Sequence, residues 1–457
     1  MSNPVSGVSH RRVLGLAFPI ALANLTQPLL AAVDTAMAGH LTDASAIGGV
    51  ALGGVFFSFV FWGFGFLRMG TTGLVAQAWG ARDDIALRDN LLRAMSLALA
   101  IGLTILLLQV PLIGFALKLL GGSPAVQSDA ASYAHARIWS APLVLANYVV
   151  LGYLLGVQRV RWALLLQLLI NLVNIVAVYS FVRGLGWGIV GIGWATACAD
   201  LAGFIAGVLV LSRLLPHVLP GMVWRRLIES ASLRRLALIN RDIFFRTMLL
   251  LASFGWFAHA GARQSDVILA ANALLMNFQT FMAYGLDGLA HAIEALTGEA
   301  IGARRRDQLV RAIKISLLWS SVLALIFSVV YALAGPTIIG LLTDQSAIRI
   351  AAERYLPWAV LAPVISVWGF LLDGVFIGAT RTHDLMRCMA LCFGCFIVLA
   401  LILLPLMGNH GLWLALMLFM ALRGVTLGLR LPALVADVAD EADTDVGLAG
   451  RVVTVRS

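Results

Sequence analysis

The sequence predicts an all-α integral membrane protein of about twelve transmembrane helices, built as two parallel copies of a six-helix unit. Three observations carry this. The 457 residues are 61% hydrophobic and 12% charged, with mean hydropathy +0.93, whereas a soluble domain carries about a quarter charged residues. Apolar stretches of about 20 residues recur between short polar gaps, the length an α-helical span needs, and the alternating pattern of an outer-membrane barrel is not seen. Glycines and arginines also return at one constant spacing, 222 residues on, and whole motifs recur close to it after small deletions.

Taken in order, the first expected span, 13–38, holds Pro19 and Asp34. It leads straight into another apolar stretch, so it reads as a retained helix and not as a cleavable signal. Spans at 46–68, 90–117, 131–156, 162–182 and 188–212 complete the first half. An arginine-rich linker, 213–242, follows, and its MVWRRLIESASLRRL reads as an amphipathic helix lying at the interface. The second half offers spans at 243–261, 268–297, 312–340, 355–379, 386–406 and 411–430. The division is thus an N-lobe at 1–212, the linker, a C-lobe at 243–430 and a tail at 431–457. ADVADEADTDVG makes that tail acidic, with the composition of a disordered segment.

The copies are legible residue by residue. Gly39 and Gly261 are 222 apart, as are Gly80 and Gly302, each of the latter followed by Ala-Arg. RDNLLRA (88–94) answers RDQLVRA (306–312), and APLVLANYVVLGYLLGVQR (141–159) answers APVISVWGFLLDGVFIGATR (362–381). Six spans return the chain to its starting face, so the copies are parallel repeats related by an axis along the membrane normal. Two such halves suit alternating access of a substrate bound between them, which favours a transporter over a channel.

The formal net charge of +9 follows the topology. Arg11 and Arg12, Arg82 to Arg93, Arg159 and Arg161, the linker arginines, Arg304 to Arg311, and Arg381 and Arg387 fall in alternate gaps. GHLTDAS and LMGNHG hold no arginine or lysine at all. This positive-inside pattern puts both termini in the cytoplasm, with some attraction to anionic lipid and no call for nucleic acid. Cys198, Cys388, Cys392 and Cys395 imply no disulfide framework. The last three share one side of the eleventh span as small packing residues.

Acids inside spans cost about 2.5–3.5 kcal/mol each at the bilayer centre, so each is a functional candidate. Asp34 stands alone in PLLAAVDTAMAGHL, above the helix-bending Pro19, and the pair points to a protonation switch. Asp287, His291 and Glu294 share a face of the eighth span and are expected to line a water-filled cavity, with Asp373 of FLLDGVFIG beside them. Asp200 in ATACAD fits function and helix packing equally. The counterpart of Asp34, 222 residues on, is Trp256. GWGIVG (186–191) follows no strand and binds no dinucleotide on this reading, DDIALRD (83–89) reads as a solvated loop, and no Walker motif supplies ATP. No nucleophile or metal constellation marks an enzyme.

VDTAMAGHL, RMGTTGLVAQAWGARD, SAPLVLANYVVLGYLLGVQ, LINRDIFFR and LLDGVFIGATR, in this order, resemble the multidrug and toxic compound extrusion (MATE) family, and within it the DinF branch, from about residue 12 to residue 430. The resemblance implies two six-helix lobes forming a V and export of amphipathic, often cationic, organic compounds in exchange for H⁺ or Na⁺. It also implies no cofactor, a bacterial inner-membrane location and, on our reading, a monomer. By the same resemblance Asp34 takes the coupling ion, Pro19 marks the bend of the first helix, and Asn174 and Thr196 are polar partners of Asp34. Relatives carry a second aspartate where this chain has Val178, which implies a single acid at the N-lobe site. Asp287, Glu294 and Asp373 are then the expected alternative carriers. The other expectation is a flippase of lipid or lipid-linked substrates, which would need a broad cationic cavity.

Overall fold

The computed structural model describes residues 7–26, 33–34, 36–38, 45–214, 227 and 229–438, and every regular element among them is helical. Among these residues 11 helices are long and apolar enough to cross a membrane. They coincide one for one with the expected second to twelfth spans. The first span is seen as the helix His10–Leu25, with Pro19 inside it, and as helical residues at 33–34 and 36–38.

The helices run further than hydropathy alone indicates. DDIALRD is not a loop: Asp83 is the N-cap of the third span, Asp84–Leu107, its Oδ1 accepting from the Ala86 N–H at 2.9 Å. Arg88 and Asp89 pair beside it at 3.0 Å. The seventh span, Ser230–Ala262, starts inside the expected linker. Its first turns carry Arg234, Arg235 and Arg241, which a helix extending out of lipid tolerates and a hydropathy window rejects. The twelfth span reaches Ala436. The gap from Gly39 to 44, residues 215–226 and 228 of the linker and the acidic tail beyond 438 lie outside the described residues.

The duplication is written into the backbone. Among the described residues, four other than glycine adopt positive φ: Arg82 (55°), Gln158 (58°), Arg304 (55°) and Thr380 (54°). They form two pairs 222 residues apart, at the ends of the second and eighth and of the fourth and tenth spans. The hydrogen bonds after three of these helices are the same: the Arg159 N–H reaches the Leu154 carbonyl at 2.7 Å, Arg305 reaches Ala300 and Arg381 reaches Phe376, both at 2.9 Å. A left-handed residue closing such a bond is a helix C-terminal cap that satisfies otherwise orphaned carbonyls.

The described chain forms two compact units. One comprises Leu22–Val75 and Asp83–Asn240. Within it the sixth span, Gly188–Leu214, packs on the fifth, Val160–Gly184, and on the fourth, Pro124–Gly156. Gly152 and Gly156 of the fourth span lie against Arg68 and Val75 of the second, Ser45–Gly80. The other unit comprises Met1–Ala21, Ala76–Arg82 and Arg241–Ser457. Its centre is the tenth span, Ser346–Gly378, packed on the eighth, Asp266–Gly302, the ninth, Arg306–Leu342, and the twelfth, Asn409–Ala436. Gly374 and Gly378 meet the carbonyls of Ala290 and Glu294 on the eighth span. The glycines of the two units are again 222 apart. Lipid is as apolar as leucine, so close backbone approach through small residues is what associates these helices.

Candidate functional site

Each unit holds a buried cluster of carboxylates and guanidinium groups. In the first, Asp34 is 6% exposed and its Oδ1 makes no hydrogen bond among the described residues. The charge that reaches it belongs to Arg137, at the end of the helix Pro124–Arg137. The same guanidinium acts on Asp200 of the sixth span. It also donates to the Tyr133 hydroxyl at 2.7 Å and stands 4.6 Å over the ring of Phe57. One arginine therefore acts on two acids through space.

Asn174 and Thr196 are neighbours as expected, but they bond to one another: the Asn174 Nδ2 donates to Thr196 Oγ1 at 3.1 Å. Thr196 passes its own proton to the Ile192 carbonyl at 3.2 Å, and Asn174 Oδ1 makes no hydrogen bond. Val178, one turn on, is fully buried. Asp200 of the sixth span is a second carboxylate on which the charge of Arg137 acts. Asp200 is held through its backbone carbonyl by Asn147 Nδ2 at 3.0 Å.

In the other unit Asp373 is the centre. Arg246 of the seventh span and Arg423 of the twelfth both donate to its Oδ2, the latter at 2.5 Å. All three residues are buried. Arg423 also lies over Phe370 and Phe419, at 5.7 and 5.9 Å. Asp287, His291 and Glu294 follow one face of the eighth span, Glu294 buried at 1% exposure and the other two half-buried. Asp373 takes both of its ion-pair partners from the seventh and twelfth spans. Trp256, the counterpart of Asp34, packs edge-on to Phe396 at 5.7 Å, an apolar contact.

The sequence reading missed Arg137, Arg246 and Arg423 because it searched the spans for acids and took arginines as markers of loops. The signal was present: each stands inside an expected span. Formally, the first cluster holds two acids and one arginine and the second holds two arginines and one acid.

A duplicated twelve-span bundle with ionisable groups buried in each copy is the build of a secondary transporter. The chain belongs to the MatE family, whose profile matches residues 19–180 and 244–402, one stretch in each half. It is 45% identical over 421 residues to DNA damage-inducible protein F of Escherichia coli (strain K12), covering 92% of this chain and 91% of that one. It is 24% identical to the probable multidrug resistance protein NorM of Acinetobacter baylyi, over 92% and 95% of the two chains. Among solved structures, a MOP superfamily transporter from Pyrococcus furiosus superposes with TM-score 0.85 at 18% identity, over 94% of this chain and 96% of that one. A MATE protein in its bent conformation superposes at 0.83 and 19%, over 93% and 96%. These structural likenesses establish the fold.

Proposed function

We propose that this protein is a secondary antiporter of the cytoplasmic membrane, with both termini inside, which exports amphipathic, often cationic, organic compounds in exchange for H⁺ or Na⁺. The observation that carries the reading is the Asp34–Arg137–Asp200 cluster. A buried carboxylate with an unbonded oxygen, in the field of an arginine that also acts on a second acid, can trade a proton, a sodium ion or an organic cation. When Asp34 is neutralised, Arg137 is left to Asp200, and the first span loses the charge that holds it. Pro19 gives that helix a place to bend. Drug and ion then compete for one site, and the two halves alternate around it. The protein works without a cofactor and as a monomer.

The test uses everted vesicles with an imposed pH or Na⁺ gradient and a fluorescent amphipathic cation. One of the two gradients is expected to drive dye uptake into vesicles that contain the protein. Dye movement that responds to neither gradient contradicts the proposal.

The buried Arg246–Asp373–Arg423 cluster favours a second reading, a flippase for a lipid or lipid-linked substrate. Two guanidinium groups on one carboxylate leave a formal positive charge that suits a phosphate. In that case the vesicles move a headgroup-labelled anionic lipid and leave the dye untouched.

A further inference from the structure

A cavity of about 430 Å³ lies at the arginine-rich end of the unit that contains the C-terminal half. Its walls come from the N-terminal turn before the first span, the end of the second span, the end of the eighth and the start of the ninth. Four arginines line it: Arg12, Arg82, Arg304 and Arg305. The acid in its lining is Glu299, and Arg12 grips both Glu299 carboxylate oxygens, at 2.8 and 2.6 Å. Arg82, Arg304 and Arg305 make no ion pair among the described residues, so the cavity carries an uncompensated positive charge of three.

The placement of these arginines follows from the repeat. Arg82 and Arg304 are the left-handed caps of the second and eighth spans, so the same backbone device presents both side chains. Just before them, Gly80 lies against the Glu299 carbonyl and Gly302 against the Gln77 carbonyl, and both the glycines and their partners are 222 apart. This reciprocal contact brings the two helix ends together beside the cavity. Arg305 is the N-cap of the ninth span and makes no side-chain capping bond there, so first-turn N–H groups add donors at the rim.

We propose that this cavity is a binding site for a phosphate-bearing headgroup, which bridges the first and second copies of the repeat through Arg82 on one side and Arg304 and Arg305 on the other. Three arginines lining one polar recess supply the forked donors that phosphate oxygens accept. The positive-inside pattern sets the same end at the anionic cytoplasmic leaflet. A bound headgroup holds the glycine contact closed and so favours the state in which these two helix ends touch. The site is separate from the Asp34 cluster and does not depend on what the protein exports.

The experiment takes the full-length protein in neutral detergent and titrates it with phosphatidylglycerol, with phosphatidylcholine and with inorganic phosphate, reading the midpoint of thermal unfolding. Wild type and Arg311→Gln, a surface arginine outside the cavity, are expected to respond to phosphatidylglycerol. The Arg304→Gln/Arg305→Gln double variant is expected to need at least about tenfold more of it, given the contribution of each arginine near anionic lipid. If inorganic phosphate reproduces the shift and the lipid adds nothing, the occupant is a soluble phosphate and the site stands. Equal response to both lipids with none to phosphate, or an unchanged response in the double variant, overturns the proposal. Should the double variant fail to fold, Arg82→Gln is read in the same titration against the same two outcomes.

Discussion

Asp34 looked isolated in its own helix because its partner comes from elsewhere in the fold. The charge of Arg137, from the fourth span, acts on it and on Asp200 through space. The acids were legible in the sequence since each interrupts an apolar run. Their pairing was not, because a helix in lipid is apolar all round and its periodicity does not tell which face meets a neighbour. The Asp373 cluster gives a test at this scale. Asp373→Ala leaves Arg246 and Arg423 buried side by side with no counter-charge and is expected to destabilise the protein by about 3–5 kcal/mol. Arg423→Met leaves one balanced pair and should cost far less. Thermal unfolding in detergent reads both, and an equal loss in the two variants would show that the cluster is not organised around its carboxylate.

At the scale of the helix, the sequence located the repeated span ends but not their conformation. Helices commonly close on a left-handed glycine, and Gly80-Ala-Arg82 and Gly302-Ala-Arg304 each offer one two residues too early. The structure explains the displacement: Gly80 and Gly302 are needed where helix backbones touch, and the left-handed position falls to arginine. Arg304 is exposed and makes no hydrogen bond through its side chain among the described contacts, which makes it a clean probe of the strain. Arg304→Gly is expected to raise stability in neutral detergent by about 0.5–1 kcal/mol, the left-handed penalty less the entropy cost of glycine. Arg304→Val, branched at Cβ, should lower it. Unfolding midpoints that move together, or in the reverse order, would remove the argument that these caps are strained.

Over the whole molecule, one six-helix plan is used twice with the same caps and the same glycine contacts, while the buried charges have diverged. The first copy places two acids within the field of Arg137, and the second gathers two arginines on Asp373. Duplication was visible from spacing alone because glycines and caps constrain the backbone and cannot drift. The charge reversal was visible only after the structure named the partners, since it lies in the pairing. The proposed coupling falls to the copy that holds the surplus of acid, and to Asp34 within it. The most direct measurement is ion release from the purified protein when an amphipathic cation binds, followed with a pH indicator in weak buffer and repeated with a Na⁺ indicator. The account predicts that substrate displaces one proton or one sodium ion from wild type and none from Asp34→Asn, with Asp373→Asn releasing as wild type does. Equal release from Asp34→Asn and wild type, or no release of either ion from wild type, would contradict it.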